Sequence, residues 1–188
     1  FGGADLVMNN AAIQPGSTLF GSAESWTRIL EVNLWGVING AQVFGPGLVG
    51  RGKPGAIVNT GSKQGITNPP GHPVYNMAKA AVRSFTEALA YDLRQTEGHR
   101  VSAHLLVPGW TTTGTAEPQE GAWMPDQVVD YLMGKLAEGA VTLCGVRSSE
   151  SQDAAGSRQM PPSFLLTAAS GWRLASSAPL YPRFGLLP

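Results

Sequence analysis

The apolar run Ala56-Ile57-Val58-Asn59-Thr60-Gly61 ends on Ser62, and thirteen positions later Tyr75 opens the stretch Tyr75-Asn76-Met77-Ala78-Lys79. The run reads as a strand buried on both faces, the kind found in parallel sheets. A hydroxyl at the carboxyl end of such a strand faces the crevice in which open α/β sheets bind ligands. Tyr75 and Lys79 are four apart, so on a helix they share a face one turn apart. A lysine beside a tyrosine favours the phenolate. It is expected to pull the Tyr75 pKa down from about 10 toward the range of a general base. Serine, tyrosine and lysine converging there have the means to polarise a carbonyl and exchange a proton with its oxygen.

The rest of the chain alternates strands and helices. Asp5 to Asn9 reads as a strand built on Leu6-Val7-Met8, closed by the turn Asn9-Asn10-Ala11-Ala12. Ile13 to Gly21 is a loop, and Ser22 is placed to cap a helix with Glu24 in its first turn. From Ser25 to about Phe44, Trp26, Ile29, Leu30, Leu34, Val37, Ile38 and Ala41 recur at helical spacing. Asn33 sits in mid-helix, an unfavourable place for asparagine. Gly45-Pro46-Gly47 is expected to interrupt that helix. Gln64 to Pro73 reads as a stiff, non-helical Gly/Pro-rich loop against the mouth of the crevice, with His72 as a solvent-exposed loop histidine. Val74 to Gln95 is an alanine-rich helix with an apolar stripe of Val82, Phe85, Leu89 and Leu93. Val101 to Val107, with His104 inside it as a core or sheet-facing residue, is a strand closed by Pro108-Gly109. Pro125 to Ala137 is a helix with proline in its first turn, and Val141 to Cys144 begins a last strand.

The order Asn-Asn-Ala, helix Asn33, strand-end Ser62, Tyr75-x-x-x-Lys79, strand-end Pro108-Gly109 resembles the short-chain dehydrogenase/reductase family over roughly Asp5 to Leu143. The resemblance implies an α/β fold, a partial Rossmann-type doubly wound parallel sheet formed by the second half of such a domain. It implies Asn33, Ser62, Tyr75 and Lys79 as the catalytic set. Tyr75 would be the acid/base, Lys79 would lower its pKa and bind the nicotinamide ribose, Ser62 would hold the substrate oxygen, and Asn33 would sit at a helix distortion holding a relay water. It further implies Asn9, Ala11, Tyr75, Lys79, Pro108, Gly109 and Thr113 as cofactor contacts, with NAD or NADP as the cofactor. The implied activity is oxidation of a secondary alcohol or reduction of a ketone. The alanine-rich helix and the one before it would form a homo-oligomer interface. Ala12 stands where the family usually has glycine, and Thr111 where it commonly has valine.

Composition narrows the alternatives. With 188 residues and 43% hydrophobic content the chain has enough material for one globular core. Thirteen basic residues balance thirteen acidic ones, which gives no electrostatic footprint for nucleic acid or an anionic membrane surface. The one cysteine, Cys144, excludes an intrachain disulfide, and neither His99 nor His104 has carboxylates or thiols at ligand spacing. No apolar run approaches the ~18 residues of a membrane span, so the expected location is the cytoplasm.

Two stretches depart from the family pattern. No glycine-rich turn precedes Asn9, and the βαβαβ half that would carry it, about 60 residues at ~30 per unit, would lie upstream. Without those strands the one ending at Asn9 is expected to present a bare apolar edge. The expected division is therefore an incomplete Rossmann domain over residues 1–144. Residues 145–188, rich in Ser, Gly and Pro and without either period, then form a disordered or misjoined tail. A chain of this kind is expected to be inactive without the glycine-rich half. The alternative is a non-catalytic protein acting only through its oligomer-forming helices.

Overall fold

A computed structural model describes residues 3–114, 117, 120–138 and the backbone of 142–145. Four parallel strands form one sheet in chain order: β1 (Leu6–Asn9), β2 (Gly55–Thr60), β3 (Val101–Pro108) and β4 (Thr142–Gly145). Helices α1 (Ala23–Leu30) and α2 (Gly36–Gly50), joined by a π-helical turn over Glu31–Trp35, connect β1 to β2. Helices α3 (Gln64–Thr67) and α4 (Pro73–Gln95) connect β2 to β3, and α5 (Pro125–Ala137) lies between β3 and β4. Parallel neighbours need such crossovers, because no hairpin can join them.

Strand alternation sends the core to both faces of the sheet. On one face Val101 and Ala103 of β3 pack with Val7, Ile57, Leu48 of α2, and Ala90 and Leu93 of α4; Leu105 and Val107 continue that face with Val37 and Val82. On the other face Leu106 and Val58 meet Leu132 of α5. Helices therefore cover both sides, and the sheet is doubly wound as expected. His104 lies on the α5 face, buried, with Nε2 2.7 Å from Ser102 Oγ. Of the expected tail, 145–188, Gly145 instead closes β4, and residues 146–188 lie outside the described residues.

Four local readings are corrected. The helix does not stop at Gly45-Pro46-Gly47; Pro46 is inside α2. The proline denies a hydrogen bond to the carbonyl four residues back, that of Gln42, and Gln42 is exposed to water. Leu48, buried two residues further on, anchors the last turn on the sheet. The stretch after Ser62 is not a loop throughout, because Gln64–Thr67 closes one helical turn ending on Asn68 in the left-handed conformation (φ 48°). His72 is half-buried rather than exposed: it flanks the amino end of α4, and its Nδ1 is buried without a partner among the described residues. Pro73, placed in the loop by sequence, is the first helical residue, where its missing N–H costs nothing.

Candidate active site

The carboxyl ends of β2 and β3 open into a cavity of about 680 Å³. Ser62, Tyr75, Lys79, Pro108, Gly109 and Thr113 all line it. Ser62 stands just beyond β2, where its Oγ accepts from the Gln64 N–H (3.1 Å) and so starts the turn into α3. Its hydroxyl also acts on the Tyr75 phenol, favouring the phenolate. Tyr75 is in the first turn of α4, half-buried, and Lys79 follows one turn later on the same side.

Lys79 is 2% exposed and its Nζ donates to the Thr60 carbonyl at 2.8 Å. Burial, which disfavours the ammonium, lowers its pKa from 10.5 to about 8. The amine lies 5.7 Å from the Tyr75 ring centroid. The expected lowering of the Tyr75 pKa is not what this arrangement produces. Burial of the phenol raises it, and the Ser62 hydrogen bond opposes that rise. Lys79 directs its charge into the β2 carbonyl, and desolvation of the ring dominates.

Asn33 lies in the π-helical turn, fully buried. Its Nδ2 donates to the carbonyls of Ile29 (2.9 Å) and Ile13 (2.8 Å), and its Oδ1 accepts from the Ile13 N–H (3.2 Å). The side chain thus holds the loop after β1 in both directions, which explains an asparagine in mid-helix. Neither Asn33, Asn9 nor Ala11 lines the cavity, whereas Ala12 does. Asn9 Nδ2 instead donates to Asn59 Oδ1 across the β1–β2 pair (2.8 Å). Asn59 Nδ2 in turn donates to the Thr86 hydroxyl (3.0 Å), and Thr86 donates to the Val82 carbonyl (2.7 Å). This buried chain of amides and a hydroxyl ties β1, β2 and α4 together below the cavity.

Sequence reasoning missed Asn59, Thr86, Gln14 and Gln64. Thr86 had a legible signal, since it falls four residues after Val82 on the apolar stripe, where a hydroxyl needs a partner. Gln14 Nε2 donates to Gln64 Oε1 (3.0 Å) and both line the cavity, but long amides in two loops carry no periodic signal. Thr112 was also unmarked; its Oγ1 is buried beside Thr113 with no partner among the described residues.

The arrangement suits the nicotinamide end of a dinucleotide. The buried Lys79 amine and the backbone of Pro108-Gly109 stand on the same cavity as the Tyr75 phenol. Among the described residues, no helix is long and apolar enough to cross a membrane.

Comparison with known proteins agrees with this geometry. A model of the short chain dehydrogenase family matches residues 1–122. The chain is 38% identical over 117 residues to SadH of Mycobacterium tuberculosis, named as a candidate oxidoreductase, covering 62% of this chain and 42% of that protein. It is 34% identical over 148 residues to human L-xylulose reductase, covering 73% of this chain and 56% of the reductase. The chain thus spans about half the length of these relatives. Its fold superimposes with a TM-score of 0.71 on a short chain dehydrogenase/reductase from Burkholderia phymatum solved in complex with NAD, at 28% identity, covering 82% of this chain and 64% of that one. The chain belongs to the short chain dehydrogenase family.

Proposed function

We propose that this chain carries the proton-transfer site of a nicotinamide-dependent oxidoreductase acting on a secondary alcohol or ketone. The observation that carries the reading is the convergence of Ser62, Tyr75 and the buried Lys79 amine on one cavity at the carboxyl end of a parallel sheet. Lys79, Tyr75, Pro108, Gly109 and Thr113 would hold the nicotinamide and its ribose; Asn9 and Ala11 belong to the same proposal through the turn after β1. A bound nicotinamide supplies or takes the hydride.

In the reducing direction Ser62 donates to the carbonyl oxygen and Tyr75 gives that oxygen its phenolic proton, leaving a phenolate near the Lys79 charge. In the oxidising direction Tyr75 takes the proton back. A phenol with a raised pKa is protonated at neutral pH, which favours the acid role. Asn33 serves by fixing the loop after β1 at Ile13, between Ala12 and Gln14 of the cavity wall, and we retain for it the relay-water role that the family resemblance implies.

The choice between NAD and NADP rests on residues outside this site. The 188 residues contain no glycine-rich turn for the pyrophosphate, so we expect the chain alone to bind NADH and NADPH weakly and to turn over only with such a half present. Titration followed by nicotinamide fluorescence tests this, and saturation at low micromolar concentration would overturn it. Exposed Trp35, Val43, Phe44, Met77 and Tyr91 on the helical layer support a homo-oligomer, and the same surface supports the alternative of a non-catalytic protein that acts only by association.

The deciding experiment is Tyr75→Phe in the whole protein, assayed over secondary alcohols and ketones with both cofactors. Turnover should fall at least ~100-fold while cofactor binding persists. Turnover close to that of the parent would remove Tyr75 from the chemistry.

A further inference from the structure

Asn76 follows Tyr75 in the chain but points away from the cavity chemistry. It is 2% exposed, and its Nδ2 donates to the Pro69 carbonyl (2.7 Å) and to Asn68 Oδ1 (3.1 Å). Both acceptors belong to the left-handed exit of α3, where the Asn68 N–H caps the turn by donating to the Gln64 carbonyl (3.1 Å). Its Oδ1 is buried without a partner among the described residues, so the side chain is committed through its donors alone. A second contact joins the same two helices. A Cβ on Gly65 would lie 2.6 Å from the Lys79 carbonyl carbon and 2.7 Å from the Ala80 nitrogen, so α3 rests directly on the backbone of α4 at the lysine. Only glycine permits that approach.

These contacts bracket the reacting pair. Ser62 is tied to α3 from its other end, by its Oγ to the Gln64 N–H and its carbonyl to the Gly65 N–H (3.1 Å). Moving α3 therefore moves Ser62, whereas Tyr75 and Lys79 move with α4.

We propose that Gly65 and Asn76 are positioning residues: together they brace α3 on α4 and so set the Ser62 hydroxyl against Tyr75. The inference rests on the reading of Ser62 and Tyr75 as the proton-transfer pair, but its test does not require turnover. Asn76→Leu keeps the branching of the side chain and removes both donors. In the whole protein labelled with ¹³C-tyrosine, the hydroxyl-bearing ring carbon of Tyr75 reports its hydrogen bond at neutral pH. The chain has four tyrosines, and Tyr75→Phe assigns the resonance. Ser62→Ala fixes the shift that accompanies loss of the bond. Asn76→Leu should move the resonance in the same direction, and hydrogen exchange should quicken at the Gly65 and Asn68 amides. Misplacement on the order of 1 Å costs up to ~100-fold in rate, so an active whole protein should also lose kcat more than KM.

A Tyr75 resonance unmoved in Asn76→Leu, while Ser62→Ala moves it, would overturn the brace and leave the functional reading standing. A resonance unmoved in Ser62→Ala would overturn both, since no bond would exist to set. If Asn76→Leu does not fold, Asn68→Gly keeps the left-handed turn, removes one acceptor, and decides by the same criterion.

Discussion

Strands β1 and β2 lie side by side in register, Leu6 against Ala56, Val7 against Ile57, Met8 against Val58 and Asn9 against Asn59. Their sequences follow one pattern, a short apolar run ending in asparagine. Their surroundings differ. Val58 is fully buried, whereas its partner Met8 is 41% exposed and Leu6 is 44% exposed. On β2 both faces are covered, by α2 and α4 on one side and α5 on the other; on β1 only the Val7 face packs among the described residues. The polar groups show the same contrast. The β2 end carries Thr60, whose carbonyl receives Lys79, and Ser62, whose hydroxyl meets Tyr75. The turn after β1 is held at a distance, through Asn9 to Asn59 and through Asn33 to Ile13. The buried Lys79 amine therefore sits at the end of the strand that is covered on both faces, and an apolar run by itself does not say whether a strand has reached that state.

The largest effect expected concerns Lys79. Its folded-state pKa of about 8 lies below the 10.5 of an unfolded lysine, so between these values the unfolded chain binds more protons. Stability then rises with pH across that window, and below about 8 the buried charge costs the fold up to about 3 kcal/mol. Tyr75 acts in the opposite sense above about 10, because its raised pKa makes the folded state hold its proton longer. Denaturant titrations from pH 7 to 10 should show the rise, and Lys79→Met should flatten it and raise stability at pH 7. A parent protein without that slope would show the amine to be hydrated, and the end of β2 to resemble β1.

The paired substitutions Val58→Ala and Met8→Ala compare the strands directly. Removing two buried methyl groups at Val58 should cost roughly 2 kcal/mol, and Met8→Ala less than about 1 kcal/mol for a half-exposed side chain. Equal costs, measured by urea unfolding, would mean that the Met8 face of β1 is covered as well. Thr86→Val tests the polar link between the strands and α4. It leaves Asn59 Nδ2 without its acceptor in a buried site, for about 1–2 kcal/mol, the lower part of the unsatisfied-donor range. No loss would show the amide re-pairing elsewhere.

Much of this was legible beforehand. The strands and the long helix with Tyr75 and Lys79 on one side follow from local period, and Ser62 from its place at a strand end, whereas Pro108, Gly109 and Thr113 came in through the family resemblance alone. The helical turn after Ser62 was not legible, because Gly, Pro and Asn spell a loop and only the contact of Gly65 with α4 makes a helix of it. Persistence of α2 through Pro46 was hidden likewise, depending on an exposed carbonyl and on Leu48 reaching the core. The direction of the Tyr75 shift failed for a third reason. Spacing places a charge near a phenol but does not weigh it against desolvation, and here the amine faces a carbonyl.

The smallest effect on stability belongs to the outer face of β1. Leu6 and Met8 alternate with Val7, so both project from the face opposite α2, beside a strand with one hydrogen-bonded neighbour among the described residues. An apolar edge of that kind pairs with other chains unless something covers it, and natural edges are protected by charge. The 188-residue chain should therefore associate as its concentration rises. Met8→Lys should reduce that association while changing unfolding free energy by no more than about 0.5 kcal/mol, as for an exposed position. The stem of lysine still covers the strand while the ammonium stays in water. Sedimentation velocity at several concentrations, run in parallel with urea unfolding, separates the two quantities. If Met8→Lys left association unchanged, the contact would lie on the exposed residues of α2 and α4 instead; if it unfolded the chain, Met8 would be a core residue and the contrast between the two strands would fail.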